Sequence, residues 1–436
     1  MQSSRLLNLS FKVFLPHSTL LLLCSVLLQS CTKEQNLPTD TQNSPLIAQH
    51  QAALIENNDL DCPSPLIADY SDLTSTHASL PDPFLSLDGN RITQISQWPC
   101  RRNEISKQAQ KYMLGVKPVD ELAVTSQYQQ EQLTLTVKQD NKTLSFAAQI
   151  ILPNKGQAPY PAMIGIGRVS LDNKALLEQG VALINFPNNE IAEQQNGESR
   201  GKGKFYDFYG HEHSAGALMA WAWGVSRLID ALERTPNLPI NANKLAITGC
   251  SRNGKGALVA GAFDQRIALT IPQESGAGGS ANWRISDVQL AAGTNVQTLR
   301  QIVTENVWFT AKFADFSESV TLLPFDQHQV LSLLAPRGLL IIDNAIDWLG
   351  IESSYLNALA AKTVWQALGQ SDSMGVSQTK EHQHCQQPES QQPEINAFVQ
   401  KFLFDSQHAN TQVQVNENNI NEDLSQWINW TTPTLN

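Results

Sequence analysis

Ser251 is the residue of this chain best placed for covalent chemistry. It lies in Thr248-Gly249-Cys250-Ser251-Arg252-Asn253-Gly254-Lys255-Gly256-Ala257. The run Lys244-Leu245-Ala246-Ile247 before it reads as a buried strand, and Ala257-Leu258-Val259-Ala260 after it as the first turns of a helix. A hydroxyl lifted on a sharp turn between strand and helix is an exposed nucleophile for acyl transfer. The helix N-terminus behind it offers backbone N–H groups and positive dipole to an oxyanion. Strand and helix crowd together at such a turn, so small residues are needed, and Gly249 and Gly254 supply them. The fit to the pattern G-x-S-x-G is imperfect. The second glycine comes one residue late, and Arg252 and Lys255 flank the serine.

A serine nucleophile needs a base, and the base needs an orienting acid. The late segment Glu381-His382-Gln383-His384-Cys385 carries two imidazoles. His384 is favoured as the base, because a bridge at Cys385 would fix it. The plain alternative is an exposed polar loop or an adventitious metal site. No Cys/His set elsewhere has zinc-like spacing, so metal is set aside. Glu274 and Asp347 are both candidate acids, each following a predicted strand, and Asp343 is a weaker third. Sequence order does not choose among them. His211 and His213 precede a helix and read as structural.

These residues must be positioned by regular elements. Glu121 to Thr125, Leu133 to Val137 and Ser145 to Pro153 read as an antiparallel start. Pro161 to Gly167, Val181 to Phe186 and Arg266 to Pro272 read as further strands, as does Arg337 to Asp343. Leu218 to Leu232 reads as a helix, with Trp221 and Trp223 as packing residues, and Glu394 to Phe404 as a closing helix. Gln378 to Pro393 is Gln/His/Glu-rich and reads as loop. This alternation predicts an α/β-hydrolase fold: a three-layer sandwich around a mostly parallel, twisted sheet. In the predicted chain order of that fold the histidine comes last, where His384 stands.

The 436 residues suffice for a large core, and a formal charge of −11 with no long basic run argues against nucleic acid. Arg5 and Lys12 followed by the apolar run Leu20 to Leu28 read as an export signal. Leu28-Gln29-Ser30-Cys31 resembles a lipoprotein signal, with Cys31 as the lipid anchor, although Gln29 departs from the usual small residue. The expected organisation is a signal over 1–31, a disordered tether over 32–55, a catalytic domain with an N-terminal wrap over 56–410, and a tail over 411–436. Of six cysteines, setting aside Cys24 and Cys31 leaves Cys62, Cys100, Cys250 and Cys385. In an exported chain these predict two disulfides, with three possible connectivities. A monomer is expected, as an outer-membrane or cell-surface lipoprotein or as a free secreted or periplasmic protein.

The segment Gly249 to Ala257 resembles the signature of glucuronoyl esterases, carbohydrate esterase family fifteen. Phe208-Tyr209-Gly210 through Leu218, Trp221 to Gly224 and Gln273 to Gly276 agree with that family. So do Glu305-Asn306 with Trp308-Phe309, Asp347 to Gly350, and His384-Cys385. The resemblance runs from about Leu60 to Phe404. It implies Ser251 as nucleophile, His384 as base and Glu274 as acid, with Asp347 as replacement or helper. It implies that Arg252 helps to hold the oxyanion, where a fixed guanidinium adds charge-assisted donors. It implies Lys255, Gln297, Glu305 and Trp348 as the residues that hold the sugar, and Cys250–Cys385 and Cys62–Cys100 as bridges.

The expected function is a serine esterase that cleaves the ester between 4-O-methyl-glucuronoyl groups of xylan and lignin alcohols, with no cofactor or metal. Two rivals stand beside it. One is a general carboxylesterase or acetyl-xylan esterase, and the other a non-catalytic carbohydrate-binding lipoprotein.

Overall fold

Short apolar runs separated by helices leave each strand needing cover on both faces, and a layered sheet satisfies that need. A computed structural model describes residues 62–63, 66–119, 122–380 and 382–436. The expected signal, Cys31 and the tether lie outside the described residues. The antiparallel start comprises β1 (Ala123–Gln129), β2 (Gln132–Gln139) and β3 (Lys142–Ile151). Next come β4 (Tyr160–Ile166), β5 (Ala182–Phe186), β6 (Ile240–Cys250) and β7 (Ile267–Gln273). The last are β8 (Gly338–Asn344), β9 (Met374–Thr379) and β10 (Gln414–Asn416). They form one ten-stranded sheet in the order β1-β2-β3-β5-β4-β6-β7-β8-β9-β10. Pairing is antiparallel from β1 to β5 along that order and parallel from β5 to β10.

Alternate residues of the central strands feed two separate cores. Ile164, Leu245, Ile247, Leu339 and Ile341 join the larger core with Trp221, Trp223 and Trp365. That face is covered by the helices Ala217–Arg234, Arg252–Phe263 and Ile351–Ala367. Met163, Ala246, Leu340 and Ile342 point the other way, onto Ile395, Phe398 and Val399 of the helix Gln392–Phe404. The three-layer α/β-hydrolase architecture is therefore the one observed. Trp221 and Trp223 are fully buried, as packing residues should be.

Several expected boundaries shift. The helix after the serine begins at Arg252 rather than Ala257. Asn253, Gly254 and Gly256 are poor helix formers, but close packing requires small residues there. A Cβ on Gly254 would lie 2.8 Å from Gln273 O, and one on Gly256 2.8 Å from the Trp221 ring. The expected loop from Gln378 to Pro393 is shorter, because Gln378 and Thr379 end β9 while Gln392 and Pro393 open the last helix. The wrap contains a helix, Trp98–Ala109, which the sequence pattern did not show. Its amphipathic signal is broken by buried Arg101 and Arg102, whose guanidinium groups donate to Pro83 O and Leu333 O.

Residues 411–436, expected as a tail, are built into the same body. β10 pairs with β9, Trp427 and Trp430 are buried, and Leu80 N donates to Trp427 O at 2.7 Å. The chain end itself pairs with the wrap through Asn436 N to Thr93 O and Ile95 N to Asn436 O. The tryptophans supply burial that a polar stretch around them conceals from any periodicity count.

Candidate active site

Parallel strands all end on the same side, and loops at that edge meet in space although they are far apart in sequence. β6 ends at Cys250 and the elbow helix starts at Arg252, so Ser251 alone makes the turn. Its backbone is forced to φ 58°, ψ −127°. That geometry is unfavourable for a residue with a side chain, and it persists because the surroundings dictate it. Ser251 N donates to Gln273 O at 2.9 Å, which ties the turn to β7. Gly249 is obligatory here, since a Cβ on it would lie 2.4 Å from Asn253 O.

Glu274 follows β7 directly, also at positive φ (45°), and is 1% exposed. Its Oε2 accepts from Nδ1 of His384 at 2.6 Å and from Cys385 N at 2.7 Å. A carboxylate only accepts, so His384 holds its proton on Nδ1 and leaves Nε2 as a lone-pair acceptor. His384 shares a cavity of about 330 Å³ with Ser251. The disulfide Cys250–Cys385 joins the chain neighbours of the serine and the imidazole, with a Cα separation of 5.7 Å. Cys62–Cys100 closes the wrap. Cys250, Glu274, His384 and Cys385 crowd within 4.8 Å, yet the two sulfurs bond to each other, so the group is no thiolate ligand set.

The same cavity is lined by Arg252, Lys255, Gln297, Glu305 and Trp348, so every contact residue expected from the sequence converges on it. Lys255 is 3% exposed and donates to Ser275 O at 2.6 Å. Burial lowers its ammonium to about 8, Glu305 opposes that shift and Arg252 adds to it. Gln297 Nε2 donates to Glu305 Oε2 at 3.2 Å, and Gln297 N to Trp348 O at 3.1 Å. The Trp348 ring stands edge-on to His384, 5.0 Å between centroids. One lining residue escaped the sequence reading as a site residue. Trp308 lies under both cations, 5.4 Å from Arg252 Cζ and 5.3 Å from Lys255 Nζ. Its position three residues after Glu305 was the available signal, and its cation-facing role depends on tertiary packing.

The candidate acids separate clearly. Asp347 is exposed at the start of a single turn, Asp347–Leu349, while the carboxylate on the His384 ring is that of Glu274. Asp343 is buried at the end of β8, where the hydroxyls of Ser280 and Ser354 donate to its Oδ2. Burial pushes this carboxyl up to about 7. The Glu274 charge adds to the rise and the two hydroxyl donors oppose it. His211 and His213 make loop contacts, to Gly201 O and from Ala215 N, as structural histidines do.

This constellation can be set beside known proteins. Residues 135–369 match the family model described as glucuronyl esterase, fungi. A 4-O-methyl-glucuronoyl methylesterase of Hypocrea jecorina is 50% identical over 360 residues, which are 83% of this chain and 77% of that protein. The chain belongs to the glucuronoyl esterase family. Among solved structures, the glucuronoyl esterase catalytic domain from Hypocrea jecorina superposes with a TM-score of 0.81 at 48% identity, covering 86% of this chain and 100% of that one. A serine-to-alanine variant of the glucuronoyl esterase from Sporotrichum thermophile was solved in complex with methyl 4-O-methyl-β-D-glucopyranuronate. It matches with a TM-score of 0.79 at 44% identity, covering 83% of this chain and 97% of that one. A family 15 glucuronoyl esterase from Caldicellulosiruptor kristjansonii is 32% identical, with a TM-score of 0.72, covering 84% of this chain and 100% of that one. Among the described residues of this glucuronoyl esterase family member, no helix is long and apolar enough to cross a membrane.

Proposed function

We propose that this chain hydrolyses esters of 4-O-methyl-glucuronic acid, with Ser251 as nucleophile, His384 as base and Glu274 as acid. The observation that carries the reading is the Glu274–His384 contact of 2.6 Å on an imidazole that shares its cavity with the elbow serine. Nε2 of His384 takes the Ser251 proton as Oγ attacks the uronoyl carbonyl carbon. The oxyanion is held by Arg252 and by N–H groups at the elbow helix terminus. The imidazolium then gives its proton to the departing alcohol oxygen, leaving a glucuronoyl ester on Ser251. Water attacks that ester while His384 takes its proton, and the imidazolium then returns a proton to Ser251 Oγ as the acyl C–O bond breaks and the free uronate leaves.

Lys255, Gln297 and Glu305 supply donors and acceptors for sugar hydroxyls, and Trp348 supplies a ring for a sugar face or edge. The alcohol side of the ester is assigned to lignin alcohols, and the acyl side to glucuronoxylan. The names of the matched relatives, and the methyl uronate held in one of their structures, support the acyl assignment. The test compares a benzyl glucuronate ester with a simple acetate. Preference for the uronate supports the proposal, whereas preference for the acetate turns it into an acetyl esterase. Ser251→Ala should abolish turnover while the fold persists, and full activity in that variant removes the serine mechanism. The lipoprotein assignment of Cys31 and the monomeric state belong to the same proposal. Mass spectrometry of the mature N-terminus and sedimentation check them.

A further inference from the structure

Glu274 carries two imidazoles, and the mechanism above uses one. Oε2 serves His384 and Cys385 N, while Oε1 is buried without a hydrogen-bond partner. Nδ1 of His382 stands 3.6 Å from Oε1, and the His382 side chain is 7% exposed. At that distance the pair interacts electrostatically, just beyond hydrogen-bond range. The rest of the His382 ring is fixed. Its Nε2 meets Thr379 Oγ1 at 3.2 Å, and its Nδ1 lies 3.2 Å from Gln383 O. Asn344 approaches Nδ1 through Nδ2 at 3.4 Å while its own buried Oδ1 lacks a partner. Turning that amide end for end gives Oδ1 the ring N–H as a donor. All three neighbours of Nδ1 then accept, the Glu274 carboxylate and Gln383 O along with Asn344. The proton therefore belongs on Nδ1.

We infer that His382 is a positioning residue, whose Nδ1–H faces Oε1 of Glu274 across 3.6 Å and so keeps the carboxylate aligned on His384. This rests on the proposed Ser251–His384–Glu274 relay and adds a fourth member that never touches substrate. The need for it follows from the surroundings. Charged and titratable groups reach Glu274 from each neighbouring element. His384 and His382 come from the loop after β9 and Asp343 from the end of β8, while Lys255 of the elbow helix donates to Ser275 O, the next residue in the chain. Asp343 is the second carboxyl in that cluster, and its charge would repel that of Glu274. A donor on the free oxygen offsets burial and repulsion together. The N–H dipole facing Oε1 favours the carboxylate orientation that keeps Oε2 on Nδ1 of His384.

Two variants separate a donor from a filler. His382→Asn keeps an N–H near the Nδ1 position but loses ring volume, and His382→Leu keeps volume but removes every donor. With a benzyl glucuronate ester, His382→Leu should lower kcat about tenfold, the scale of one hydrogen bond to a charged group, with KM nearly unchanged. His382→Asn should recover most of the rate. Equal losses in both variants, or a loss in His382→Leu that falls on KM rather than kcat, overturn the inference in favour of packing. In the parent protein, ¹⁵N-histidine spectra should show Nδ1 of His382 protonated, and an unprotonated Nδ1 overturns it whether or not the variants fold. Glu274→Gln is measured alongside. If it keeps the parental rate, the relay itself fails. If it loses the rate while the His382 variants do not, only the fourth member fails.

Discussion

Cys250 and Cys385 are bonded to each other, and each is the chain neighbour of a residue in the proposed relay, Ser251 on one side and His384 on the other. The bridge spans a sequence separation of 135 and brings the two Cα atoms to 5.7 Å. It therefore joins two loops that no strand pairing connects. Cys385 also sits at φ 65° and gives its N–H to Glu274, so the bridge, the acid and the base loop are fixed together.

Replacing this pair by serine should cost activity as well as stability. We expect kcat to fall by about 10- to 100-fold, the scale of an ångström of misplacement in a reacting pair. Stability should fall by about 2–4 kcal/mol. The control is Cys62→Ser with Cys100→Ser, which should lower stability and leave kcat intact. Urea melts and steady-state rates on one uronate ester read both. Equal kcat losses in the two double variants would show that the bridge acts only through stability.

The acid is decided by rate. Glu274→Gln should lower kcat by about 10³-fold or more, as loss of an orienting carboxylate does elsewhere. Asp347→Asn should keep the parental rate, since its carboxylate is exposed and the imidazole is already served. A large loss in Asp347→Asn with a small one in Glu274→Gln reverses the assignment.

Lys255 links pH to substrate binding. Its ammonium is lowered from 10.5 to about 8 by burial. The charged donor is thus present below about pH 8 and lost above it, so KM for a uronate ester should rise as pH passes that point. Lys255→Met should raise KM about tenfold at pH 6 and flatten that rise. The stability sign runs the other way. Between pH 8 and 10.5 the unfolded chain binds more protons at this group than the folded one, so its contribution to stability grows with pH there. At pH 7 the folded state bears the full cost of burying the charge. Lys255→Met should then melt no lower than the parent, with its advantage shrinking toward pH 10.5. Calorimetry at pH 7 and 10 checks it.

Asp343 has the opposite sign. Its carboxyl is raised from 3.8 to about 7, chiefly by burial. The folded chain binds more protons than the unfolded one between those values, so the contribution to stability is complete below about pH 4 and fades as pH rises through about 7. Asp343→Asn keeps an acceptor for Ser280 and Ser354 and cannot ionise. Its melting temperature should exceed that of the parent by a few degrees above pH 8, and the gap should close below pH 4. A gap that stays constant from pH 4 to pH 9 would falsify this account.

Much of the site was legible in the chain because its signals are local. A serine between a β-run and a helix, with small residues at 249 and 254, is a property of ten consecutive residues. The strand pattern from Leu133 to Asp343 is local too, since alternation and apolar runs report which faces are buried. Where the pattern failed, burial came from distant partners. Gly256 sits in a helix because Trp221 leaves no room for a side chain, and Arg101 and Arg102 are buried because wrap and body carbonyls accept their protons. Met374 to Thr379 and Gln414 to Asn416 become strands only because each finds a neighbour already in the sheet.

Read alone, the sequence determined the elbow that carries Ser251, a preference for His384 over His382, and a choice of three carboxyls. Only the tertiary structure placed the Glu274 carboxylate on His384, set His382 3.6 Å from its second oxygen, and brought Trp308 beneath Arg252 and Lys255. The physical reason is separation. Glu274 and His384 lie 110 residues apart. Their meeting is set by the lengths and twist of the strands between them, and no run of neighbouring residues encodes that.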